Sequence, residues 1–371
     1  MNTDFQAPQD AVVVIGAGVA GLMTAYLLEQ QGHSVLLMDS RDRVGGRVLS
    51  DAAHTDAPFV DLGPSWVWPE MNDRLHHWTQ ALGLALFPQF QRGAALVERQ
   101  HHQVQRFESS FEQAPSSQRW VGGVGALVNA LLARLTRTEL LLNAQVHRIR
   151  HEPTDQVSVA ARMPNGDIER VGARVVVTLP PRLLSAQISW EPALPSALTD
   201  RWQRTPTWMA GQAKFVAAYP HAFWREAGLS GYAASHVGPL VEIHDASNAS
   251  GASAALFGFV GVPAQWRAKM GDAELIQRSV QQLAHLFGPQ AAEPSWVQLK
   301  DWAQDPHTAT AADTLPSNGH PTQPPRQLPA PWQGLAYLGG SEFADDFNGY
   351  LEGAVRSAEM VANEMKKETV C

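Results

Sequence analysis

The chain has a single cysteine in 371 residues, and it is the last residue, Cys371. That excludes an internal disulfide scaffold and any cysteine-rich metal site. No stretch approaches the roughly 20 apolar residues that a bilayer span needs, so a chain that does not cross a membrane is expected. The start, Met1-Asn2-Thr3-Asp4, lacks the basic and apolar regions of a signal peptide, which makes a cytoplasmic location the expectation. There is no long basic tract and the net charge is −8, which argues against nucleic acid as a partner. No internal repeat appears. The Glu242-Ile243-His244-Asp245 run has no second ligand cluster in sequence, so no metal site is expected. Hydrophobic content of 44% and charged content of 17% describe a globular chain long enough for two domains.

What is present concentrates at the two ends. Residues 11–15 are an apolar run that ends at glycine and read as a buried parallel strand. Gly16 lets the chain turn tightly, Gly18 leaves room for a pyrophosphate to approach the backbone, and Gly21 lets the next helix pack close to the strand. Apolar residues at helical spacing predict a helix from Val19, and Gly32 fits its stop. Residues 34–38 read as a second strand ending at Asp39, an acidic residue about 20 positions after the glycines and placed to bind ribose hydroxyls. Together these describe a dinucleotide seat whose helix N-terminus favours the pyrophosphate charge.

Arg41, Arg43 and Arg47 then surround Gly45-Gly46. Permanently charged forks among glycines suit anionic oxygens, and they equally suit a solvated basic loop. Asp61-Leu62-Gly63-Pro64-Ser65-Trp66 is a second close-approach loop. At the far end stand Gly340-Ser341-Glu342 and Gly349-Tyr350-Leu351-Glu352-Gly353-Ala354. In this combination and order the sequence resembles the flavin-containing amine oxidase family, the group of monoamine and polyamine oxidases, over nearly the whole chain.

The resemblance implies an α/β FAD-binding Rossmann-like domain of the glutathione-reductase-like superfamily, interleaved with an α+β substrate domain built on a mixed or antiparallel sheet. The FAD domain is expected to comprise residues 1–65, 119–188 and 333–371, and the substrate domain residues 66–118 and 189–332. The cofactor contacts it implies are Gly16, Gly18, Gly21, Asp39, Arg41, Gly46, Arg47, Gly63, Pro64, Ser65, Val146, Glu342 and Leu351. Among these, Val146 matches a position whose backbone meets the adenine, and the Leu351 N–H one that meets the flavin pyrimidine. The family usually has Glu where this chain has Asp39. Some members tether FAD through a cysteine shortly before the C-terminal motif; none stands there in this chain, so non-covalent FAD is expected.

Lys214 interrupts an otherwise apolar strand, where a buried ammonium is costly unless solvated or paired. It matches the family's lysine under flavin N5, bonded to a water and assisting reoxidation; the alternative is a lysine on the solvent face of an edge strand. Tyr350 matches an aromatic that stands perpendicular to the flavin. The second aromatic of that cage is missing: residues 302–313 contain no Tyr or Phe, and Trp66, Trp68 or Trp302 could complete the pocket. Asp305, His307 and Asp313 read either as ligands for a polar group or as loop caps. The implied partners are a small amine and oxygen. The implied reaction is amine oxidation to an imine with hydride transfer to flavin N5, and reoxidation that yields hydrogen peroxide. A desaturase or dehydrogenase on the same scaffold, and a non-catalytic flavin-binding protein, are the rival readings. Oligomeric state is not legible.

Along the chain, the patterns predict a helix over residues 122–135 and a strand over 140–148. A hairpin is expected around Asn165-Gly166, a buried strand over 174–179 stopped by Pro180-Pro181, and strands over 214–218, 241–244 and 254–260. A helix over 273–286, a loop over 314–331, a strand over 335–338 and a helix over 351–366 complete the series.

Overall fold

Val12–Ile15 puts four β-branched side chains in a row with no polar one among them, a pattern that suits the middle of a sheet. All four residues are buried, and the strand pairs in parallel with Val35–Met38 on one side and Arg174–Val177 on the other. Thr138–Leu141 and Ala336–Leu338 close the edges, giving five parallel strands drawn from both ends and the middle of the chain. The computed structural model describes residue 8 and residues 10–51, 60–101, 103–108, 114–251, 253–315 and 319–369; Cys371 and Met1-Asn2-Thr3-Asp4 lie outside the described residues.

Helix Val19–Gln30 covers one face of this sheet and packs against the C-terminal helix Leu351–Thr369. Leu22, Met23, Ala25 and Leu28 share a core with Val355, Ala358 and Val361. The approach of helix to strand is closest at Gly21, where a methyl group would fall 1.7 Å from the Gly16 carbonyl oxygen. Only glycine fits that contact.

A seven-stranded mixed sheet forms the second layer. Its order is Trp296–Asp301, Ala213–Tyr219, Ala254–Val260, Leu240–Asp245, Leu229–Ser235, Ala94–Glu98 and Val104–Phe107. Every pair is antiparallel except Ala94–Glu98 with Leu229–Ser235. Lys214 therefore lies in an inner strand, not at an edge. Helix Asp272–Phe287 packs its apolar side on this sheet through Leu275, Leu283, Leu286 and Phe287.

The strand expected over residues 140–148 is two strands in two different sheets. Thr138–Leu141 ends the parallel sheet, and Gln145–His151 belongs to a four-stranded sheet with the hairpin Val157–Met163 and Gly166–Gly172. The break falls at Asn143, whose φ is 56°, a left-handed conformation that Asn tolerates. Continuous hydrophobicity through Leu140-Leu141-Leu142 concealed it. Pro180-Pro181 does stop the strand before it, and Pro181 also opens a helix, Pro181–Gln187, from the first helical position.

The segment after the second close-approach loop divides between the layers. Strands Ala94–Glu98 and Val104–Phe107 join the seven-stranded sheet and Leu86–Pro88 pairs with Gln118–Trp120 in a small sheet of its own, while helix Asp73–Ala81 docks on the C-terminal helix. Glu352 accepts the Arg74 and Leu75 backbone N–H groups at 3.2 and 2.7 Å, capping that helix from outside its own sequence. Glu359 receives Arg74 Nε at 2.8 Å and Trp78 Nε1 at 2.7 Å.

Gly21→Ala is expected to cost about 3 kcal/mol or more, since the obstructing atom is backbone and cannot rotate away. Thermal unfolding followed by circular dichroism checks this. A midpoint equal to the wild type's would mean that the helix can shift off the strand without loss.

Candidate active site

The first wall of the cavity is the turn from strand to helix. Gly16, at φ 102°, ends the strand, and Gly18 is the N-cap of helix Val19–Gln30. That helix has no side-chain cap and no acidic residue in its first turn, so its positive end suits an anion. A methyl at Gly18 would meet nothing nearer than Gly46 Cα at 3.9 Å, so the backbone there is open to close approach. Asp39 holds the loop in place: Oδ2 accepts the Ala17 N–H at 2.6 Å and Oδ1 the Arg41 N–H at 2.8 Å. Each carboxylate oxygen keeps a lone pair for a ribose hydroxyl.

The second wall is closed by an ion pair across the chain. Arg47 donates from Nη1 to Glu342 Oε1 at 2.6 Å, and from Nη2 to Glu342 Oε2 at 3.0 Å and Ser341 Oγ at 2.9 Å. Glu342 has 0% exposure. Burial pushes its carboxyl up, but Arg47 and the Ser341 hydroxyl outweigh that and hold it below the usual range. Gly63 lies against the same arginine's backbone; a methyl there would come within 2.1 Å of the Arg47 carbonyl oxygen.

Lys214 enters from strand Ala213–Tyr219 at 4% exposure. Its Nζ donates to Ser65 Oγ at 2.6 Å and Gly63 O at 3.1 Å, and lies 3.9 Å from the centre of the Phe257 ring. Burial lowers its pKa to about 7, with Asp61 opposing and Arg119 adding to the effect. A lysine poised between its two charge states at neutral pH can give or take a proton.

The third wall is aromatic. Trp66 packs edge-on to His244 at 4.8 Å and tilted on Phe257 at 5.4 Å. Tyr350, 41% exposed, has two ring neighbours: Trp208 at 5.5 Å and His320 stacked at 5.2 Å. Trp208 and Tyr350 are tilted by 50° and too close for a substrate between them, so they form one continuous wall and not two facing plates. Trp302 also lines the cavity, and its Nε1 donates to Leu62 O at 2.9 Å.

The residues after Trp302 act mainly as a strap. Asp305 accepts Arg41 at 2.9 Å and Lys300 at 3.0 Å, and Arg41 also reaches Thr308 at 2.7 Å. Asp313 pairs with Arg182, accepts the Thr207 N–H at 3.1 Å and closes a capping box with Thr310. His307 lines the cavity, and burial followed by the nearby Arg41 depresses its pKa.

One cavity of about 570 Å³ gathers most of the expected residues. Gly16, Gly18, Asp39, Arg41, Gly46 and Arg47 line one part; Gly63, Pro64, Ser65, Trp66, Trp68, Lys214, Trp302, Tyr350 and Leu351 line the rest. Three expected residues do not line it. Gly21 serves the helix–strand contact, Glu342 lies behind Arg47, and Val146 is packed in a core with Ile15 and Met38. Trp208, Met209, Met71 and Phe259 line the cavity without having been singled out in the sequence. Met209 carried the one local hint, an apolar residue in the loop just before the lysine strand; its φ of 61° shows a backbone held in an uncommon conformation. An open glycine turn at an uncapped helix start, a carboxylate at the end of the second strand, and a long cavity reaching a buried lysine fit a flavin dinucleotide.

Arg47→Ala leaves Glu342 buried without its partner and is expected to cost about 3–5 kcal/mol at pH 7. The sign follows from linkage. In the wild type the depressed carboxyl stabilises the fold above its unfolded pKa, and that stability is lost as pH falls through the folded value. In the variant burial raises the carboxyl, so the deficit shrinks on acidification. Unfolding midpoints of both proteins at pH 7 and pH 5 check this; a deficit that does not change with pH would contradict it.

A family model described as flavin containing amine oxidoreductase matches residues 106–366, and one described as an NAD(P)-binding Rossmann-like domain matches residues 14–82. The flavin-containing amine oxidase B of Sus scrofa is 24% identical, over 95% of this chain and 85% of its own length. The probable flavin-containing monoamine oxidase A of Dictyostelium discoideum is 23% identical, over 96% of this chain and 97% of its own. Among solved structures, cyclohexylamine oxidase from Brevibacterium oxydans superposes with a TM-score of 0.80 at 22% identity, covering 98% of this chain and 100% of that one. Wild-type putrescine oxidase bound to putrescine gives 0.78 at 20% identity, covering 96% and 99%. With the glycine turn, the Asp39 carboxylate and the buried lysine assembled on one cavity, and the family model spanning most of its length, the chain belongs to the flavin-containing amine oxidoreductase family.

Proposed function

We propose that this chain oxidises small apolar monoamines, using FAD held without a covalent bond and oxygen as the electron acceptor. The substrate class rests on one observation: the charged side chains that line the cavity are already engaged by the protein. Asp39 binds two backbone N–H groups, and Glu352 caps the helix Asp73–Ala81 and pairs with Arg356 at 2.6 Å. Arg41 is held by Asp305, Arg47 by Glu342, and Lys214 by Ser65 and Gly63. A second ammonium would find no uncommitted carboxylate on this lining among the described residues, and an α-carboxylate no uncommitted arginine. Either charge would lose its hydration without compensation. Beside the lysine the lining carries Trp66, Trp68, Met71, Trp208, Met209 and Phe259, which suit an apolar body.

The bound flavin supplies a two-electron acceptor, so that the amine becomes an imine, water hydrolyses it to a carbonyl compound, and oxygen takes up the electrons as hydrogen peroxide. The chain's own side chains determine the geometry around that chemistry. The Trp208–Tyr350 wall orients the amine and strips its water, favouring the neutral amine. The layer of Trp66, Phe257 and Phe259 keeps bulk water from Lys214. Lys214 Nζ, fixed by Ser65 and Gly63, holds or releases a proton at the cavity wall. The start of helix Leu351–Thr369 directs its positive end toward the same region and favours negative charge there. Non-covalent binding is the consistent reading because the sole cysteine, Cys371, follows the C-terminal motif rather than preceding it.

Anaerobic addition of cyclohexylamine or 2-phenylethylamine is expected to bleach the flavin spectrum, with air restoring it, and putrescine is expected to bleach it at least tenfold less efficiently. Equal efficiency with putrescine overturns the monoamine reading, and no bleaching by any amine overturns the oxidase. Acid precipitation is expected to leave the yellow flavin in the supernatant; a yellow pellet would mean a covalent tether. Lys214→Met is expected to retain flavin and to slow reoxidation by oxygen roughly 100-fold. A wild-type rate in that variant would remove the lysine from the reaction.

A further inference from the structure

Lys214 Nζ lies over the Phe257 ring, which shares an apolar cluster with Val60, Leu62, Val216 and Ala246; two buried charged side chains off the cavity lining adjoin that cluster, one between Val60 and Leu62 in the chain and one bonded to the Ala246 carbonyl. Asp61 comes from strand Val60–Asp61 and Arg119 from strand Gln118–Trp120. Both are buried. Asp61 Oδ1 accepts the Val124 N–H at 2.9 Å and the Ser50 hydroxyl, but Oδ2 has no hydrogen-bond partner among the described residues. Arg119 donates from Nη1 to Ser247 O at 2.9 Å and from Nη2 to Ala246 O at 3.1 Å, but Nε has no hydrogen-bond partner among the described residues. A buried carboxylate oxygen and a buried guanidinium N–H left single are costly, and such groups are rarely retained without a role.

The other charges around Lys214 are each neutralised at contact. Lys300, directly across from Lys214 in the strand register, is held by Asp305 at 3.0 Å. His244, stacked on Phe257, lies 2.7 Å from Glu242. Asp245, near Arg119, is bound by Arg225 at 2.8 Å. Asp61 and Arg119 form no such contact pair with each other or with Lys214 among the described residues, and so act on it through a low-dielectric interior, where charge is felt strongly.

We propose that Asp61 and Arg119 are positioning residues for Lys214, an opposed pair of buried charges that determines how readily its amine holds a proton while Ser65 and Gly63 determine where it points. The proposal rests on the reading of Lys214 as the group that serves reoxidation. Asp61 favours the ammonium and Arg119 the neutral amine, as the signs of their charges require. Asp61 is itself pushed up by burial, with the permanently charged Arg119 and Lys214 pulling it back, so Asp61 and Lys214 titrate in each other's field. The arrangement lets the protein tune the lysine from behind, without placing a second charge on the cavity wall.

The chain has only five lysines, at 214, 269, 300, 366 and 367, so the side-chain amines of the FAD-loaded protein can be followed individually by NMR after 15N-lysine labelling, with Lys214→Met assigning the signal. The Lys214 midpoint is expected near 7. Asp61→Asn, which keeps an oxygen for Val124 and Ser50, is expected to lower the midpoint by about one pH unit, and Arg119→Gln to raise it by about as much. Arg119→Lys, which keeps the charge, is expected to leave it near the wild-type value. A structural role alone would lower stability or flavin content without moving the lysine in opposite directions. Midpoints that stay put, or that move the same way in both variants, overturn the proposal; if Asp61→Asn does not fold, the two Arg119 variants decide it. The pH profile of reoxidation, recorded in parallel, separates the two readings. Opposed NMR shifts with a reoxidation rate indifferent to Lys214→Met leave this inference standing and remove the lysine's role in reoxidation. A rate that needs Lys214 with unmoved midpoints does the reverse.

Discussion

Arg47 and Glu342 stand 295 residues apart and meet at 2.6 Å with the carboxylate fully buried. Taking that carboxylate out of water costs several kcal/mol, and only a partner that meets both oxygens offsets it. The bidentate guanidinium and the Ser341 hydroxyl do so, which makes the pair a constraint on everything attached to it. The arginine sits at the end of the second glycine loop, and its backbone carbonyl abuts Gly63. Its Nη1 also donates to Trp208 O at 3.3 Å, so the same side chain seats the loop carrying Trp208 and Met209. Moving this ion pair would move the Gly45-Gly46 loop, the loop that holds Lys214 and the aromatic wall together.

The C-terminal helix extends the same logic to the substrate side. Glu352 is spent on the N-terminus of the helix Asp73–Ala81, and Glu359 on Arg74 and Trp78. Carboxylates that look available for a substrate are thereby committed to holding one element against another. The Asp305 strap does this at the other end of the cavity, tying Arg41 to the strand that ends beside Trp302. Under the proposed function, specificity would come from exclusion: a charged substrate group would meet polar atoms already engaged, and an apolar one Trp, Met and Phe.

Lys214 differs from the other charged lining residues in being held by a hydroxyl and a carbonyl, not by a carboxylate or by backbone N–H groups. Its bonds to Ser65 and Gly63 give it a fixed position, while the aromatic rings beneath it deny it water. In the arrangement we propose, position and charge come from different parts of the fold, the loop after Asp61 for the first and the buried interior for the second.

The glycine turn, Asp39 and the C-terminal motif were legible in the sequence because each answers to a local rule: a backbone approach that admits no Cβ, a carboxylate at a strand end, a fixed run before a helix. Lys214 was legible because an ammonium breaks the pattern of an apolar strand. The turn at Asn143 was not, since hydrophobicity ran on through it and a single left-handed residue leaves no periodic trace. Trp208 was hidden among 12 tryptophans, whose composition says nothing about which faces a cavity. The sequence by itself determined the local conformations, because steric limits and side-chain period act between neighbours. The tertiary structure alone decided which side chains meet: that Asp305 and Asp313 serve as strap and cap, that Glu352 is committed, that Val146 lies in the core and that Arg47 finds Glu342. Those outcomes depend on through-space distance between segments far apart in the chain, and no rule acting along the backbone carries that distance.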